Sequence, residues 1–282
     1  MFGKHKTTFT IFFFALLVLD FFVFREILLA ERGKDDLKLY FLDVGQGDSE
    51  LAILPGGAKI LIDGGPPNGK VLENLARILP PNERYIDLVM VSHAQLDHFG
   101  GLIEVLRRYR VGAFLWNGRD GNSKAWAEFK KILEEYSVRG IVLTAPDKIH
   151  YGESQFEILA PLPKFLKSEE LNDTAIVAKL SSKNSEILFT GDIGFGVEKA
   201  LPASDVDILK VAHHGSKYSS GAEFLSAVKP EIAVIEVGKN NYGHPTEETL
   251  SRLENAGAKT YRTDRDGTIK FLINGQTIKI FK

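Results

Sequence analysis

The chain has 282 residues, with 35 Lys+Arg against 37 Asp+Glu, 44% hydrophobic residues and no cysteine. This composition supports a packed core and excludes a disordered or collagen-like chain, and without cysteine any metal must bind to His, Asp or Glu. The formal net charge of −2 provides no global positive field, so a nucleic-acid partner would need a local patch of cations.

An apolar run near the amino terminus predicts a membrane anchor. The residues between Thr8 and Phe24 are almost all apolar, and Lys4 and Lys6 precede them. A helix of roughly 17 to 20 such residues spans a hydrocarbon core of about 30 Å. The following residues form a poor cleavage site, which favours an anchor over a secretory signal. We expect an anchor or signal over 1–30, a polar spacer over 31–36 and a domain over 37–282. This domain would be extracytoplasmic, or secreted if the anchor is cleaved.

Beyond the spacer, short β-branched or alternating runs predict strands, and amphipathic stretches predict helices between them. The predicted strands are Leu37–Val44, Ser49–Leu54, Lys59–Asp63, Leu88–Ser92, Ala113–Trp116, Ile141–Thr144, Gln155–Leu159, Ala175–Leu180, Glu186–Thr190, Ile208–Ala212, Ile232–Val237, Lys259–Arg262 and a hairpin over Thr268–Ile280. The predicted helices are Lys70–Leu79, Gly101–Tyr109, Ser123–Tyr136, Gly221–Val228 and Thr246–Ala256. We therefore expect an α+β fold, a four-layer αββα sandwich preceded by one transmembrane helix.

The segment from Val91 to Gly101 carries the first candidate metal ligands. His93 ends a predicted buried strand, and Asp97 and His98 follow within one turn. Two imidazoles and a carboxylate at a strand end suit a divalent metal. A polar turn with exposed histidines explains this segment alone equally well.

Other predicted strands end in similar residues. Asp63 and Asp192 each follow an apolar strand beside glycine, His213 and His214 follow another, and a fourth strand leads into the loop that carries His244. Five polar clusters at strand ends hold five of the seven histidines, which is hard to explain as turn chemistry. The sequence therefore predicts a metal site.

These motifs resemble the metallo-β-lactamase superfamily. IDGG, HAQLDH, TGD and HHGS carry the resemblance, and FLDVGQGDS, NDTAIVAKL and VGKNNYGHP narrow it to the extracellular hydrolase-like domain of the competence protein ComEC and its freestanding relatives. The resemblance covers Leu37 to Lys282. The multi-span channel portion of ComEC has no counterpart in this sequence. It implies an αββα sandwich with one or two metal ions, Zn²⁺ or Mn²⁺, at one edge of the sheets.

The resemblance also implies roles for individual residues. The implied metal ligands are His93, Asp97, His98, Asp192 and one of His213 and His214. Asp63 would orient a ligand histidine without binding the metal. Gln95 stands where the superfamily usually has His, or Asp in the ComEC-like branch, and its neutral amide is a poorer ligand. We therefore expect one firm metal and a second position that is weak or empty.

A bound metal would activate water for attack on a phosphodiester, with Asp97 or Asp192 orienting the water and His244 protonating the leaving oxygen. Side chains near these motifs predict a phosphate-binding surface: Ser216, Lys217, Asn240 and Asn241, with the cations of Lys210, Lys239, Arg262 and Arg265. The resemblance implies DNA outside the cell as the substrate, and a cell-wall phosphodiester fits equally well. No protein partner is predicted. The alternative is a tethered binding module with an impaired metal site, for which Gln95 is the main support.

Overall fold

The structure, a computed structural model, describes Phe13, residues 16–23, Arg25 and residues 35–282. Residues 16–23 are helical and exposed. Within the described part of the chain, no helix combines the length and apolarity needed to cross a bilayer. The anchor predicted over 1–30 and most of the spacer over 31–36 lie largely outside the described residues, so both stay predictions.

The first of two sheets has eight strands. They are β1 Leu37–Phe41, β2 Glu50–Ile53, β3 Lys59–Ile62, β4 Tyr85–Met90, β5 Arg110–Trp116, β6 Arg139–Val142, β14 Ile269–Ile273 and β15 Ile278–Phe281. Their order is β15-β14-β1-β2-β3-β4-β5-β6. Neighbours are antiparallel from β15 to β3 and parallel from β3 to β6.

The second sheet has seven strands. They are β7 Lys148–Tyr151, β8 Ser154–Ala160, β9 Val177–Ser182, β10 Ser185–Phe189, β11 Ile208–Lys210, β12 Ile232–Ile235 and β13 Lys259–Arg262. Their order is β13-β12-β11-β10-β9-β8-β7, antiparallel from β7 to β10 and parallel from β10 to β13. Strand β7 was not predicted from the sequence, because it is only four residues long, contains Lys148 and His150, and packs only Ile149 against the core.

Helices cover the outer face of each sheet. They are α1 Lys70–Ile78, α2 Leu96–Phe99, α3 Leu102–Arg108, α4 Lys124–Glu135, α5 Phe195–Glu198, α6 Ala222–Val228, α7 Glu247–Asn255 and α8 Thr263–Asp266. Apolar residues of α1, α3 and α4 pack on the first sheet, and those of α6 and α7 pack on the second. A separate apolar layer, which includes Phe41, Phe189 and Phe271, fills the space between the sheets. The layers follow the αββα order predicted from the sequence.

The parallel halves of the sheets bring several strand ends to one edge. In the first sheet Ile62 of β3 pairs with Met90 of β4, and in the second Lys210 of β11 pairs with Val234 of β12. Because parallel strands end on the same side, the polar residues that follow them emerge together. This edge holds the candidate site.

The loop after β1 packs backbone against backbone on the segment after β12. A Cβ atom at Gly238 would lie 2.4 Å from the carbonyl carbon of Gly45 and 2.5 Å from the backbone nitrogen of Gln46. These are backbone atoms, which cannot move away from an added Cβ atom as the end of a flexible side chain could. Only glycine therefore fits at position 238 without a steric clash.

We expect Gly238→Ala to lower the free energy of unfolding by about 1–3 kcal/mol, because the added methyl group overpacks two backbone segments. Urea denaturation followed by circular dichroism measures this change. Gly196→Ala is the matched control, because a Cβ atom there meets nothing within 4 Å. Equal stability of the two variants would contradict the packing argument.

Candidate metal centre

Four side chains from three strand ends converge at the shared edge. Asp97 and His98 follow β4, Asp192 follows β10, and His214 follows β11. One donor atom from each lies within 4.8 Å of the others. His98 Nε2 lies 3.3 Å and His214 Nε2 3.5 Å from the same oxygen, Oδ2 of Asp192. We refer to these four residues as the ligand group.

The two histidines of the ligand group are held by their other ring nitrogen. Nδ1 of His98 donates to Oδ2 of Asp63 at 2.8 Å, and Nδ1 of His214 donates to the backbone oxygen of Glu236 at 2.9 Å. A neutral ring that donates from Nδ1 keeps its lone pair on Nε2. Both Nε2 atoms are buried and make no hydrogen bond to a described residue. They have the orientation that metal-ligating histidines adopt.

His93 is oriented in the same way just behind the ligand group. The hydroxyl of Ser92 donates to Oδ2 of Asp63 at 2.6 Å, so its oxygen accepts from Nδ1 of His93 at 3.0 Å. Nε2 of His93 is buried without a hydrogen-bond partner among the described residues. Burial, with the charge of His98, lowers the pKa of His93 to about 3. This ring therefore stays neutral with a free lone pair.

Lys210 supplies a buried positive charge beneath the ligand group. Its Nζ contacts Asp48, donates to the backbone oxygen of Gly191 at 2.9 Å, and lies 3.8 Å from Oδ1 of Asp192. Burial alone lowers the pKa of a lysine, but Asp48 and Asp192 raise that of Lys210 above its usual value. Since the side chain is fully buried, the expectation that Lys210 contacts a bound phosphate is wrong.

The carboxylates would hold protons on the histidines when no metal is bound. Burial lowers the pKa of His214, but Asp192 and Asp48 together raise it to about 10. Burial also lowers the pKa of His98, but Asp192 and Asp63 together raise it well above its ordinary value. The same carboxylates would attract a divalent cation. Such a cation would compete with protons for the Nε2 lone pairs of the two histidines. The residues of the ligand group therefore fit a metal ion.

Two further carboxyl groups lie behind Asp48. Glu50 and Glu236 are buried, and Oε1 of Glu236 accepts from the backbone nitrogen of Ser49 at 3.0 Å. Burial, followed by the charge of Asp48, raises the pKa of Glu236 to about 8. Burial and the neighbouring Glu236 also raise the pKa of Glu50 well above its usual value. At neutral pH this pair retains a proton.

Gln95 is held by the side-chain amide of Asn172. Its Nε2 donates to Oδ1 of Asn172, and Nδ2 of Asn172 lies 3.5 Å from Nδ1 of His213. The His213 side chain is 33% exposed, and its Nε2 lies 3.8 Å from Oδ2 of Asp192. His213 has no donor atom in the ligand group. Of the two adjacent histidines that the sequence left open, His214 joins the ligand group.

A cavity of about 430 Å³ opens over these residues. His244 lies in its wall and packs edge-to-face against His213, with ring centroids 5.5 Å apart. The cavity lining within the described chain comprises Gln46, Pro66, Gln95, Leu96, Asp97, Asn172, Asp192, His213, His214, Tyr242 and His244. The cavity thus joins the ligand group to solvent.

The predicted phosphate-binding residues lie outside that lining. Ser216 is buried, and its hydroxyl accepts from the backbone nitrogen of Tyr218. The Asn240 amide bonds to the backbone of its own loop, including the nitrogen and oxygen of His244. Lys217 and Asn241 are exposed. Ser216 and Asn240 therefore shape loops, and any contact of the other two with substrate stays a prediction.

Asp48, Glu236 and Asn172 belong to the site or its surroundings but were not predicted from the sequence. Asp48 follows β1 in a glycine-flanked segment, the same signal that identified Asp63. Glu236 is the first residue after the apolar strand β12, so its position at the shared edge was also readable. Asn172 lies in a 3₁₀ turn with no comparable pattern, and its role depends on residues far away in sequence.

Comparison with known proteins identifies the family of the chain. A family model described as the metallo-beta-lactamase superfamily matches residues 43–238. ComE operon protein 3 of Bacillus subtilis is 28% identical over 278 residues, covering 89% of this chain and 34% of that protein. The chain thus spans about a third of that relative's length.

Solved structures show the same fold. The metallo-beta-lactamase fold protein YhfI of Bacillus subtilis matches with a TM-score of 0.59 at 12% identity, covering 84% of this chain and 99% of that one. Igni18, a metallo hydrolase of Ignicoccus hospitalis, matches with a TM-score of 0.55 at 20% identity, covering 84% and 98%. At these identities the likeness concerns the fold.

We expect His214→Ala to lower the metal content of the purified chain from near one ion to near zero, because it removes one of the two free Nε2 donors of the ligand group. Elemental mass spectrometry after loading with Zn²⁺ or Mn²⁺ and desalting gives the ratio. His150→Ala, on the edge strand β7, is the control and should retain the ion. Equal metal content in both variants would exclude His214 as a ligand.

The buried acid pair predicts a loss of stability at alkaline pH in the metal-free chain. Since the pKa of Glu236 is raised to about 8 by burial, its stabilising contribution is present below about pH 4.5 and is lost as pH rises through 8. The loss should be on the order of a few kcal/mol. Glu236→Gln, which cannot ionise, should flatten this decline in thermal melts between pH 5 and 9. The exposed Glu153→Gln serves as control; a slope unchanged by Glu236→Gln would refute this assignment.

Proposed function

The chain belongs to the metallo-beta-lactamase superfamily, and from this premise we propose that it is a metal-dependent phosphodiesterase or nuclease. The proposal includes tethering by residues 1–30 and action outside the cytoplasm on DNA or another phosphodiester. The observation that carries it is the ligand group, whose histidines direct free Nε2 atoms toward Asp192 beneath an open cavity. One fold serves many reactions, so the residues of the site, and not the fold, indicate the function.

A divalent metal held by the ligand group would supply a Lewis acid for the phosphoryl group and lower the pKa of a water molecule. Asp97 is the residue best placed to orient that water. Its side chain is 34% exposed toward the cavity, whereas that of Asp192 is 1% exposed. Burial raises the pKa of Asp97, but His98 and His214 together lower it below the usual value. Asp97 is therefore a carboxylate at neutral pH and accepts a hydrogen bond.

We propose a role for His244 other than the proton donor expected from the sequence. Burial, with the charges of His213 and His214, lowers its pKa to about 4. The ring is thus neutral at pH 7 and is a poor proton donor for a leaving oxygen. It can still donate a hydrogen bond from the cavity wall. The leaving oxygen would take its proton from water.

The rim of the cavity supports a substrate with apolar or aromatic groups beside its phosphate. Tyr242 is 75% exposed and Leu96 is 45% exposed, and both line the cavity. A flat exposed ring can stack on a nucleobase. The exposed Lys217 lies on the loop after His214 and provides a cation at this end of the molecule. These features favour DNA over a smaller phosphodiester.

We expect the full chain, supplied with Zn²⁺ or Mn²⁺, to hydrolyse bis-p-nitrophenyl phosphate, and Asp97→Asn to reduce kcat/KM by at least about 10²-fold. Asp120→Asn, at an exposed position away from the cavity, should retain activity. Labelled single-stranded and double-stranded DNA then test the substrate. Absence of turnover with both metals would refute the hydrolase and favour the binding module.

A further inference from the structure

His213 is held by its ring nitrogen in the opposite sense to His98 and His214. The amide nitrogen Nδ2 of Asn172 faces Nδ1 of His213 at 3.5 Å, and an amide nitrogen can only donate. Nδ1 of His213 is therefore the acceptor in this pair. A neutral imidazole that accepts at Nδ1 carries its hydrogen on Nε2. His213 thus presents an N–H group where a ligand histidine would present a lone pair.

Gln95 determines which way Asn172 points. Nε2 of Gln95 donates to Oδ1 of Asn172, so the nitrogen of Asn172 is left for His213. A carboxylate at position 95 could not donate. It would attract the nitrogen of Asn172, turn the amide oxygen toward His213, and draw the ring hydrogen to Nδ1. The identity of residue 95 therefore sets the tautomer of His213.

The donor nitrogen of His213 is aimed at the reacting end of the cavity. Nε2 lies 3.8 Å from Oδ2 of Asp192, the oxygen that the ligand-group histidines also face. The ring is accessible from the cavity, and His244 packs edge-to-face against it. Asn172 on one side and His244 on the other limit its rotation. A phosphoryl oxygen of a substrate bound beside Asp192 would lie within reach of this N–H group.

Resting on the function proposed above, we propose that His213 is a substrate-binding residue, and that Gln95 and Asn172 are positioning residues that fix it as a hydrogen-bond donor to a phosphoryl oxygen. In this role the ring shares its N–H hydrogen with the phosphoryl oxygen, and no proton transfer is involved. The amide at position 95, where the resemblance leads one to expect an acid, then has a positive role. It replaces part of a second metal position with a hydrogen-bond donor for substrate.

The tautomer is measured directly on the full chain, with histidine labelled with ¹⁵N, by long-range ¹H–¹⁵N NMR with and without Zn²⁺. His213→Gln assigns the resonances. We expect the hydrogen of His213 on Nε2 in the natural chain and on Nδ1 in Gln95→Glu, which has nearly the same shape. A hydrogen on Nδ1 in the natural chain would overturn the proposal, whether or not the chain hydrolyses anything.

Ligand and donor roles predict different effects on metal and phosphate. Removal of a hydrogen-bond donor to a developing negative charge lowers the rate about 10²-fold. His213→Ala should therefore lower kcat/KM for bis-p-nitrophenyl phosphate by about 10²-fold. Its metal content should stay unchanged, and inorganic phosphate should bind at least tenfold more weakly by calorimetry. His213→Gln, whose amide can donate from a similar position, should restore much of both losses. His150→Ala is the unaffected control.

These measurements separate this proposal from the hydrolase proposal. If the natural chain lacks turnover but binds phosphate through a His213 Nε2–H group, the donor assignment stands and the hydrolase proposal fails. If the chain is active but His213→Ala loses metal as His214→Ala does, His213 is a ligand and the donor assignment fails. Unchanged phosphate binding in His213→Ala would also overturn it.

Discussion

The site depends on one buried carboxylate that remains ionised. Asp192 is buried, and its Oδ2 lies between His98 and His214 while its Oδ1 faces Lys210. An isolated charge in such a place would be costly, and an ion pair repays that cost only when its polar atoms are well partnered. The permanent charge of Lys210 and the positive charge gathered by His98 and His214 supply this compensation. Asp192 can therefore serve both the packed interior and the cavity.

The two-sheet architecture delivers these charges from separate parts of the chain. Asp97 and His98 come from the first sheet, whereas Asp192 and His214 come from the second. Each follows a strand held on a packed scaffold, which limits the movement of the donor atoms. A metal bound there would join the two sheets at one edge. Its binding would stabilise the folded chain as a whole, because the donors are dispersed when it unfolds.

Much of this arrangement was readable from the sequence, because apolar strands that end in Asp or His are a local pattern. Asp63, His98 and Asp192 were all identified in this way, and the strand and helix runs indicated the αββα layers. Contacts between side chains far apart in the sequence could not be predicted from it. Gln95 and Asn172 are 77 positions apart, and only the folded chain shows that they meet. Lys210 was misread as a surface cation, because its charge gives no sign that Asp48 lies buried beside it.

The backbone between β11 and α6 assigns different tasks to two identical neighbours. His213 and His214 both adopt left-handed backbone angles, with φ of 52° and 54°, a conformation that costs roughly 1–2 kcal/mol per residue outside glycine. The consecutive strained residues send one imidazole inward and the other toward solvent. Deletion of Ala212 would shift each of these residues by one place, so that His214 would take the outward position of His213 while the His-His pair stays intact in the sequence. The functional identity of each ring is thus encoded in loop length as much as in side-chain chemistry.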